Sequence, residues 1–271
     1  MSKSSPPVDY RLFDRPEILR FLFYPRADWS RPVLNRQVVA LEIPVESDHV
    51  IGGFFHASSQ DARTILMFHG NGEIASDYHE LAPFFTDRGL NFLVVDYRGY
   101  GRSSGTPTVE AMMKDCHTIC SYIHKWLKQN SYETPLILMG RSLGSASALE
   151  VACHCQDRIG GLIIESGFAY IGPLLALMGI SMSALELTEE QGFRNLEKMR
   201  SIQIPTLVIH GQYDQIISHG EGKALFEACA AKEKKFLTIM GANHNNLFLV
   251  GMNEYMQAIA WLDSRVGNRD E

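Results

Sequence analysis

The chain has 271 residues, enough for one sizeable buried core, and its 45% hydrophobic and 21% charged content is that of a soluble globular protein. Its formal net charge of −6, with no dense stripe of Lys and Arg, argues against nucleic acid or an anionic membrane as the main partner. The odd number of cysteines (Cys116, Cys120, Cys153, Cys155 and Cys229) and the absence of an apolar signal core in Met1–Pro7 point to free thiols and a cytoplasmic location.

Residues 1–35 read as an N-terminal extension packing on the body, and 36–271 as a single α/β domain. In the extension, Asp14 as N-cap and Pro16 predict a short helix to Leu22, which Phe23, Tyr24 and Pro25 end and pack onto the body. Val38–Pro44 and His49–His56 are strand-like runs around a polar turn, an expected antiparallel pair. Thr64–Phe68 is continuously apolar, as in a strand buried on both faces. A helical stretch at 76–88 follows, then a strand at Asn91–Val95 and a helix over Thr108–Gln129 with Thr108 as N-cap. Leu136–Met139 is a strand, Leu143–Gln156 a helix, and Ile159–Ile164 a strand. Residues 167–200 are irregular to helical. Thr206–Ile209 and Phe236–Met240 are strands flanking a helix at His219–Ala231, and Lys232–Lys235 reads as a solvated turn. The closing helix, Gly251–Arg265, carries Met252, Tyr255, Met256, Ile259 and Leu262 at helical spacing, a core stripe.

This alternation of strand and helix predicts a mostly parallel sheet of about eight strands covered by helices on both faces. Ser166–Leu185 is uncharged and long enough to span a bilayer. It is broken by Gly167, Gly172, Pro173 and Gly179 and lacks flanking anchors, so no transmembrane segment is expected.

Polar clusters directly follow apolar strands at His69–Glu73, Gly140–Gly144, His210–Asp214 and Gly241–Asn246, the place where open α/β sheets bind ligands. Gly140-Arg141-Ser142-Leu143-Gly144 is a Gly-x-Ser-x-Gly motif, which alone occurs by chance in about one chain in ten of this length. Between an apolar strand and a helix of small residues it describes a sharp turn holding a hydroxyl out at the top of a sheet. A serine nucleophile needs a base and an acid, and the order Ser142, Asp214, His244 is the one this arrangement requires. Glu165 is a rival acid or a substrate contact. Asp96 is a weaker rival, whose other reading is to brace the loop Arg98–Ser103. His69 and His210 read as residues that hold loops, and Glu73 either as a carboxylate reaching the pocket mouth or as a solvated one at a helix start.

With these motifs the sequence resembles the α/β-hydrolase superfamily from about residue 36 to 265. Within it the chain is similar to single-domain hydrolases with His-Gly-Asn after the third strand and Asp96-Tyr-Arg-Gly-Tyr-Gly-Arg-Ser103 after the fourth. That group includes Bem46-like proteins and relatives of depalmitoylating serine hydrolases. The resemblance implies Ser142 as nucleophile, His244 as base, Asp214 as acid, and an oxyanion hole from the N–H groups of Leu143 and Asn71. Relatives acting on membrane-anchored substrates carry a Cys-rich N-terminal segment, whereas here no cysteine precedes Cys116. Leu143 has its own physical logic, because an N–H at a helix start is unsatisfied and lies at the positive end of the dipole.

Neither metal-ligand spacing nor a complete dinucleotide motif occurs, so no metal or cofactor is expected. Cys116 and Cys120 read as small apolar residues on a buried helix face. The stretch from Ile164 to Thr206 must hold a crossover helix and leaves room for a small cap at most. Phe168, Leu174 and Met178 there suggest an apolar acyl site, with Ile216 as its opposite wall and Gly70 as a further contact. The expected function is hydrolysis of a small or medium acyl ester or thioester through an acyl-enzyme. The alternatives are a serine peptidase or amidase of the same fold and a non-catalytic binding protein. Nothing in the sequence specifies an oligomeric state. A histidine base must be neutral, so activity is expected to fall below about pH 6–7; a flat profile of kcat/KM down to pH 4 would contradict that role for His244.

Overall fold

Apolar runs too short for helices and flanked by polar turns become the strands of one central sheet. The computed structural model describes residues 8–29, 37–132 and 136–267. The expected boundary at residues 35 and 36 and the segment Met1–Pro7 lie outside the described residues. The strands are β1 (Val38–Pro44), β2 (Val50–His56), β3 (Arg63–Phe68), β4 (Leu90–Val95), β5 (Leu136–Arg141), β6 (Ile159–Glu165), β7 (Thr206–Gly211) and β8 (Lys234–Ile239). They lie in the order β1-β2-β4-β3-β5-β6-β7-β8. β2 is antiparallel to both its neighbours, and β3 to β8 are mutually parallel. This is the α/β sheet that the strand–helix alternation predicts.

The helices are α1 (Pro16–Leu22), α2 (Ala82–Thr86), α3 (Val109–Gln129), α4 (Gly144–His154), α5 (Ile171–Leu177), α6 (Asn195–Ser201), α7 (His219–Ala228) and α8 (Leu247–Asp263). Alternate strand residues feed two cores, as the two-residue period of a strand demands. Leu66, Phe68 and Leu138 join the core under α3, α4 and α6. Ile65, Met67 and Met139 join the core under α2 and α8, which also takes Tyr255, Met256, Ile259 and Leu262. Phe13, Ile18 and Leu22 are buried with the first of these cores, so the chain before β1 is built into the same packing.

Several elements differ from their sequence reading for local reasons. α1 starts without a side-chain cap. Asp14 instead accepts from the N–H groups of Val109 (2.6 Å) and Glu110 (3.3 Å), serving the start of the longer helix α3. Thr108 caps α3 as expected, accepting from Ala111 N–H at 3.0 Å. The single helix expected at 76–88 is a 3-10 turn, Ala75–His79, followed by α2. Pro83 has no N–H to bond back, and its ring would strike the preceding turn, so one continuous helix cannot form. α8 starts at Leu247 rather than Gly251 and bends at Gly251, where a Cβ would lie 2.6 Å from Ile239 Cγ2. Lys234 is not part of a solvated turn; its Nζ donates to the carbonyls of Phe226 (3.1 Å) and Cys229 (2.7 Å) and closes the end of α7.

Ser166–Leu185 is divided between β6's following loop, α5 and a 3-10 turn, and among the described residues no helix is long and apolar enough to cross a membrane. All five cysteines are free; Cys116 and Cys120 are buried, and burial pushes the Cys120 thiol up to about 12.

One buried charge ties α4 to α6 and to the chain before β1. Glu150 meets Lys198 Nζ at 2.6 Å and accepts from Tyr10 Oη at 2.9 Å. Burial opposes its charge, but His117, Lys198 and Tyr10 outweigh burial and hold the carboxyl at about 2, below its ordinary 4.5. A depressed carboxyl stabilises the fold above its unfolded pKa and loses that contribution as pH falls through the folded one. Glu150→Gln is therefore expected to lower unfolding stability at pH 7 by about 3 kcal/mol and to flatten its pH dependence between 4.5 and 2. Urea unfolding across that range checks it; equal stability at pH 7 would contradict the assignment.

Candidate active site

The site forms where β3, β5, β7 and β8 end. β5 runs out at Arg141, and Ser142 turns the chain into α4 with φ +51°, a left-handed conformation rare outside glycine. Ser142 N–H donates to Glu165 O at 2.9 Å, which fixes the turn against the end of β6. The flanking glycines have steric causes. A Cβ on Gly140 would lie 2.5 Å from Gly144 O, and one on Gly144 would overlap the Phe68 carbonyl and lie 2.7 Å from His69 O. The start of α4 is thus pressed against the end of β3, which brings the Leu143 N–H and the His69–Glu73 loop to the same edge.

The late loops add a histidine and a carboxylate. His244 Nε2 lies 3.0 Å from Ser142 Oγ, and Nδ1 lies 2.7 Å from Asp214 Oδ2. With Asp214 ionised, the proton sits on Nδ1, and Nε2 is left to accept the Ser142 hydroxyl. Asp214 Oδ1 accepts from the N–H groups of Ile216 (3.0 Å) and Ile217 (2.9 Å). His210 Nε2 stands 3.4 Å from Asp214 Oδ2 and 2.8 Å from Ile217 O. Burial opposes the charge on Asp214, but hydrogen bonds from His210, His244 and Ile217 outweigh it and hold the carboxyl well below its ordinary range. His210 therefore braces the aspartate loop, as a residue that holds loops should.

Asn71 does not point its side chain at Ser142. Its Oδ1 accepts from Tyr24 N–H (2.6 Å) and Tyr100 Oη (2.7 Å), and Arg26 Nε donates to Gly72 O at 2.8 Å. Arg26 also pairs with Asp77. The chain before β1 is thus tied onto the loop that presents the Asn71 N–H. This explains why Tyr24 leaves its ring 71% exposed rather than packing it on the body: its backbone makes the contact.

The rival acids have other partners. Glu165 meets Arg141 Nε at 3.1 Å and the Tyr255 hydroxyl. Asp96 accepts from Ala75 N–H (2.8 Å) and Arg102 N–H (3.5 Å) and lies 3.4 Å from His69 Nε2, the loop-bracing role. Glu73 departs from the solvated carboxylate expected: Gly70 N–H (2.7 Å), Tyr78 Oη (2.6 Å) and Arg141 Nη1 (3.2 Å) surround it.

A cavity of about 210 Å³ lies beside the serine and histidine, on the α2 and α8 side. Arg141 and Asn245, the neighbours of Ser142 and His244, line it together with Glu73, Met67, Phe92 and Phe248. None of Phe168, Leu174, Met178, Ile216 or Gly70 does. Phe168 and Leu174 are buried in the core on the other face of the sheet, with Phe168 5.4 Å from the Phe193 ring. Met178 is half-buried against that core and Ile216 is exposed. The glycine-broken segment after β6 spends its apolar residues on packing. The cavity walls come instead from alternate strand residues and the starts of α2 and α8, a set scattered too widely in sequence to be read there.

Elsewhere, His117, Glu150 and His154 bring ligand-type atoms within 4.8 Å of one another. Lys198 already meets the charge of that carboxylate.

Residues 59–190 and 173–248 match a family model for hydrolases described as serine aminopeptidase, S33. The chain belongs to this α/β-hydrolase family. This hydrolase is a member of the Bem46-like group. It is 28% identical to protein bem46 of Schizosaccharomyces pombe over 208 residues, 75% of this chain and 68% of that protein. It is 27% identical to human alpha/beta hydrolase domain-containing protein 17B over 241 residues, 86% of this chain and 78% of that one. Its fold is shared with the Pyrococcus furiosus esterase Pf2001 at a TM-score of 0.70 and 19% identity, covering 88% of this chain and 99% of the esterase. A monoacylglycerol lipase from Paleococcus ferrophilus has a TM-score of 0.59 at 21% identity, covering 76% and 96% of the two chains.

The crowding at Gly144 has a direct consequence. Gly144→Ala is expected to cost about 3 kcal/mol or more, because the added methyl meets backbone rather than a movable side chain. Thermal unfolding measures it; a wild-type melting curve would contradict the steric account.

Proposed function

We propose that this chain is a serine hydrolase cleaving esters or thioesters of a small or medium acyl group. The observation that carries the reading is the continuous chain of hydrogen bonds from Ser142 Oγ through His244 to Asp214, at 3.0 and 2.7 Å. Ser142 Oγ attacks the acyl carbonyl carbon while His244 Nε2 takes the hydroxyl proton. The carbonyl electron pair moves onto oxygen, and the N–H groups of Leu143 and Asn71 stabilise that oxyanion, at about 3 kcal/mol per donor. Collapse of the intermediate expels the alkoxide or thiolate, which receives the proton from His244, and the acyl-enzyme remains. Water then attacks in the same way, releases the acid and restores Ser142. Asp214 stays ionised throughout, keeps the imidazole in the useful tautomer and stabilises its charged form.

The cavity beside Arg141 and Asn245, walled by Met67, Phe92 and Phe248 as well as by charged groups, supplies the space for the acyl group, in preference to Phe168 and Leu174. The names of the Pyrococcus esterase and the Paleococcus lipase are consistent with acyl-ester chemistry on this fold. The family description favours a second reading, cleavage of an amide at an amino terminus by the same residues. Only α5 and short 3-10 turns lie between β6 and α6, so the described residues give little cap to enclose a peptide. The free thiols support a cytoplasmic location.

A fluorophosphonate probe is expected to label the wild type and not Ser142→Ala. The unlabelled wild type is expected to hydrolyse p-nitrophenyl esters from C2 to C12 faster than aminoacyl p-nitroanilides. No labelling of the wild type overturns the hydrolase reading, and the reverse substrate preference overturns the ester reading in favour of the amide one.

A further inference from the structure

Arg141 fills the variable position of Gly140-x-Ser142, and the reaction above makes no use of it. Its side chain is only 11% exposed, at the end of β5, and its guanidinium forms ion pairs with two stretches of chain and a hydrogen bond to a third. Nη1 meets Glu73 Oε1 at 3.2 Å, Nε meets Glu165 Oε1 at 3.1 Å, and Nη2 donates to His244 O at 3.0 Å. The second oxygen of each carboxylate is also occupied. Glu73 Oε2 accepts from Gly70 N–H and Tyr78 Oη, and Glu165 Oε2 accepts from the Tyr255 hydroxyl. Burial opposes the charge on Glu73, but Arg141, Tyr78, His69 and Gly70 outweigh burial and hold its carboxyl below the ordinary range.

We propose that Arg141 is a positioning residue, which sets the base loop and the oxyanion loop at fixed distances from Ser142. The inference rests on the roles given to Ser142, His244 and Asn71 above. The bond to His244 O holds the backbone of the residue whose imidazole must reach Ser142. The bond to Glu73 acts through the Gly70 N–H, one peptide before the Asn71 N–H. The geometry needs a planar fork with several donors. A lysine ammonium is a single point and cannot reach Glu73, Glu165 and His244 O together in their present places. A network whose every oxygen is occupied is rigid, and a reacting constellation displaced by an ångström loses rate steeply.

The test uses full-length Arg141→Lys, Arg141→Met and Glu73→Gln, assayed on p-nitrophenyl acetate with active sites counted by fluorophosphonate. Both Arg141 variants are expected to lose at least about tenfold in kcat per titrated site. Glu73→Gln is expected to lose less, because Arg141 keeps Glu165 and His244 O. In Arg141→Ala, added methylguanidinium is expected to restore part of the rate, which a variant that is merely less stable would not show. Wild-type kcat per titrated site in folded Arg141→Met, or full activity in Arg141→Lys, overturns the proposal. Should the Arg141 variants not fold, an unchanged kcat in Glu73→Gln overturns it. Failure of the wild type to label overturns the hydrolase reading and this proposal with it, whereas normal labelling with unchanged variant rates overturns this proposal alone.

Discussion

The start of α4 lies so close to the end of β3 that no side chain fits between them, and the geometry of the site depends on that contact. A Cβ on Gly144 would overlap the Phe68 carbonyl, and one on Gly140 would meet the first turn of α4. Because these backbones touch, the Leu143 N–H and the loop after β3 share one edge of the sheet. Ser142, at a positive φ between them, has its hydroxyl turned toward His244 Nε2. Strain at Ser142 is sustained by the strands on either side, since its N–H is held by Glu165 O at the end of β6.

Around this contact the polar groups work in layers. The inner one runs from Ser142 to Asp214. Outside it, His210 and the Ile216 and Ile217 N–H groups hold the aspartate, while Tyr24, Tyr100 and Arg26 hold the loop after β3 at Asn71 and Gly72. Arg141 joins the two sides through Glu73 and the His244 carbonyl. The His210 ring, the Ile217 N–H and the Arg141 guanidinium are buried or half-buried polar groups that would cost free energy if left unpaired, so these loops are held by the need to satisfy them as well as by apolar packing. The chain before β1 takes part in this through backbone atoms of Tyr24 and the side chain of Arg26, which gives an extension a place in the architecture of the site.

The strands, the elbow and the partners of Ser142 were legible in the sequence because each is a local pattern. Apolar runs of strand length, glycines at fixed offsets and a polar residue just past a strand end are all visible within about ten residues. Arg141 carried a signal too, a charge at the end of an apolar run, but its meaning depends on Glu73 and Glu165. Glu73 comes from the loop after β3 and Glu165 from the end of β6, and nothing local in the sequence shows that both meet Arg141. Asp14 was misassigned for the same kind of reason. An aspartate next to a short helix is a sound local cap, yet it serves α3, far along the chain and adjacent in space. The cavity was not legible, since its walls alternate along β3, β4 and β5 and finish on α2 and α8.

The sequence by itself determined the sheet, the order of Ser142, Asp214 and His244 along it, and the glycines of the elbow, because periodicity and steric exclusion act between neighbours in the chain. The tertiary structure alone decided which carboxylate faces His244, which helix Asp14 caps, where the cavity lies and what surrounds Arg141. Those outcomes depend on which buried polar groups meet across strands, and burial leaves each of them only the partners that the fold brings within reach.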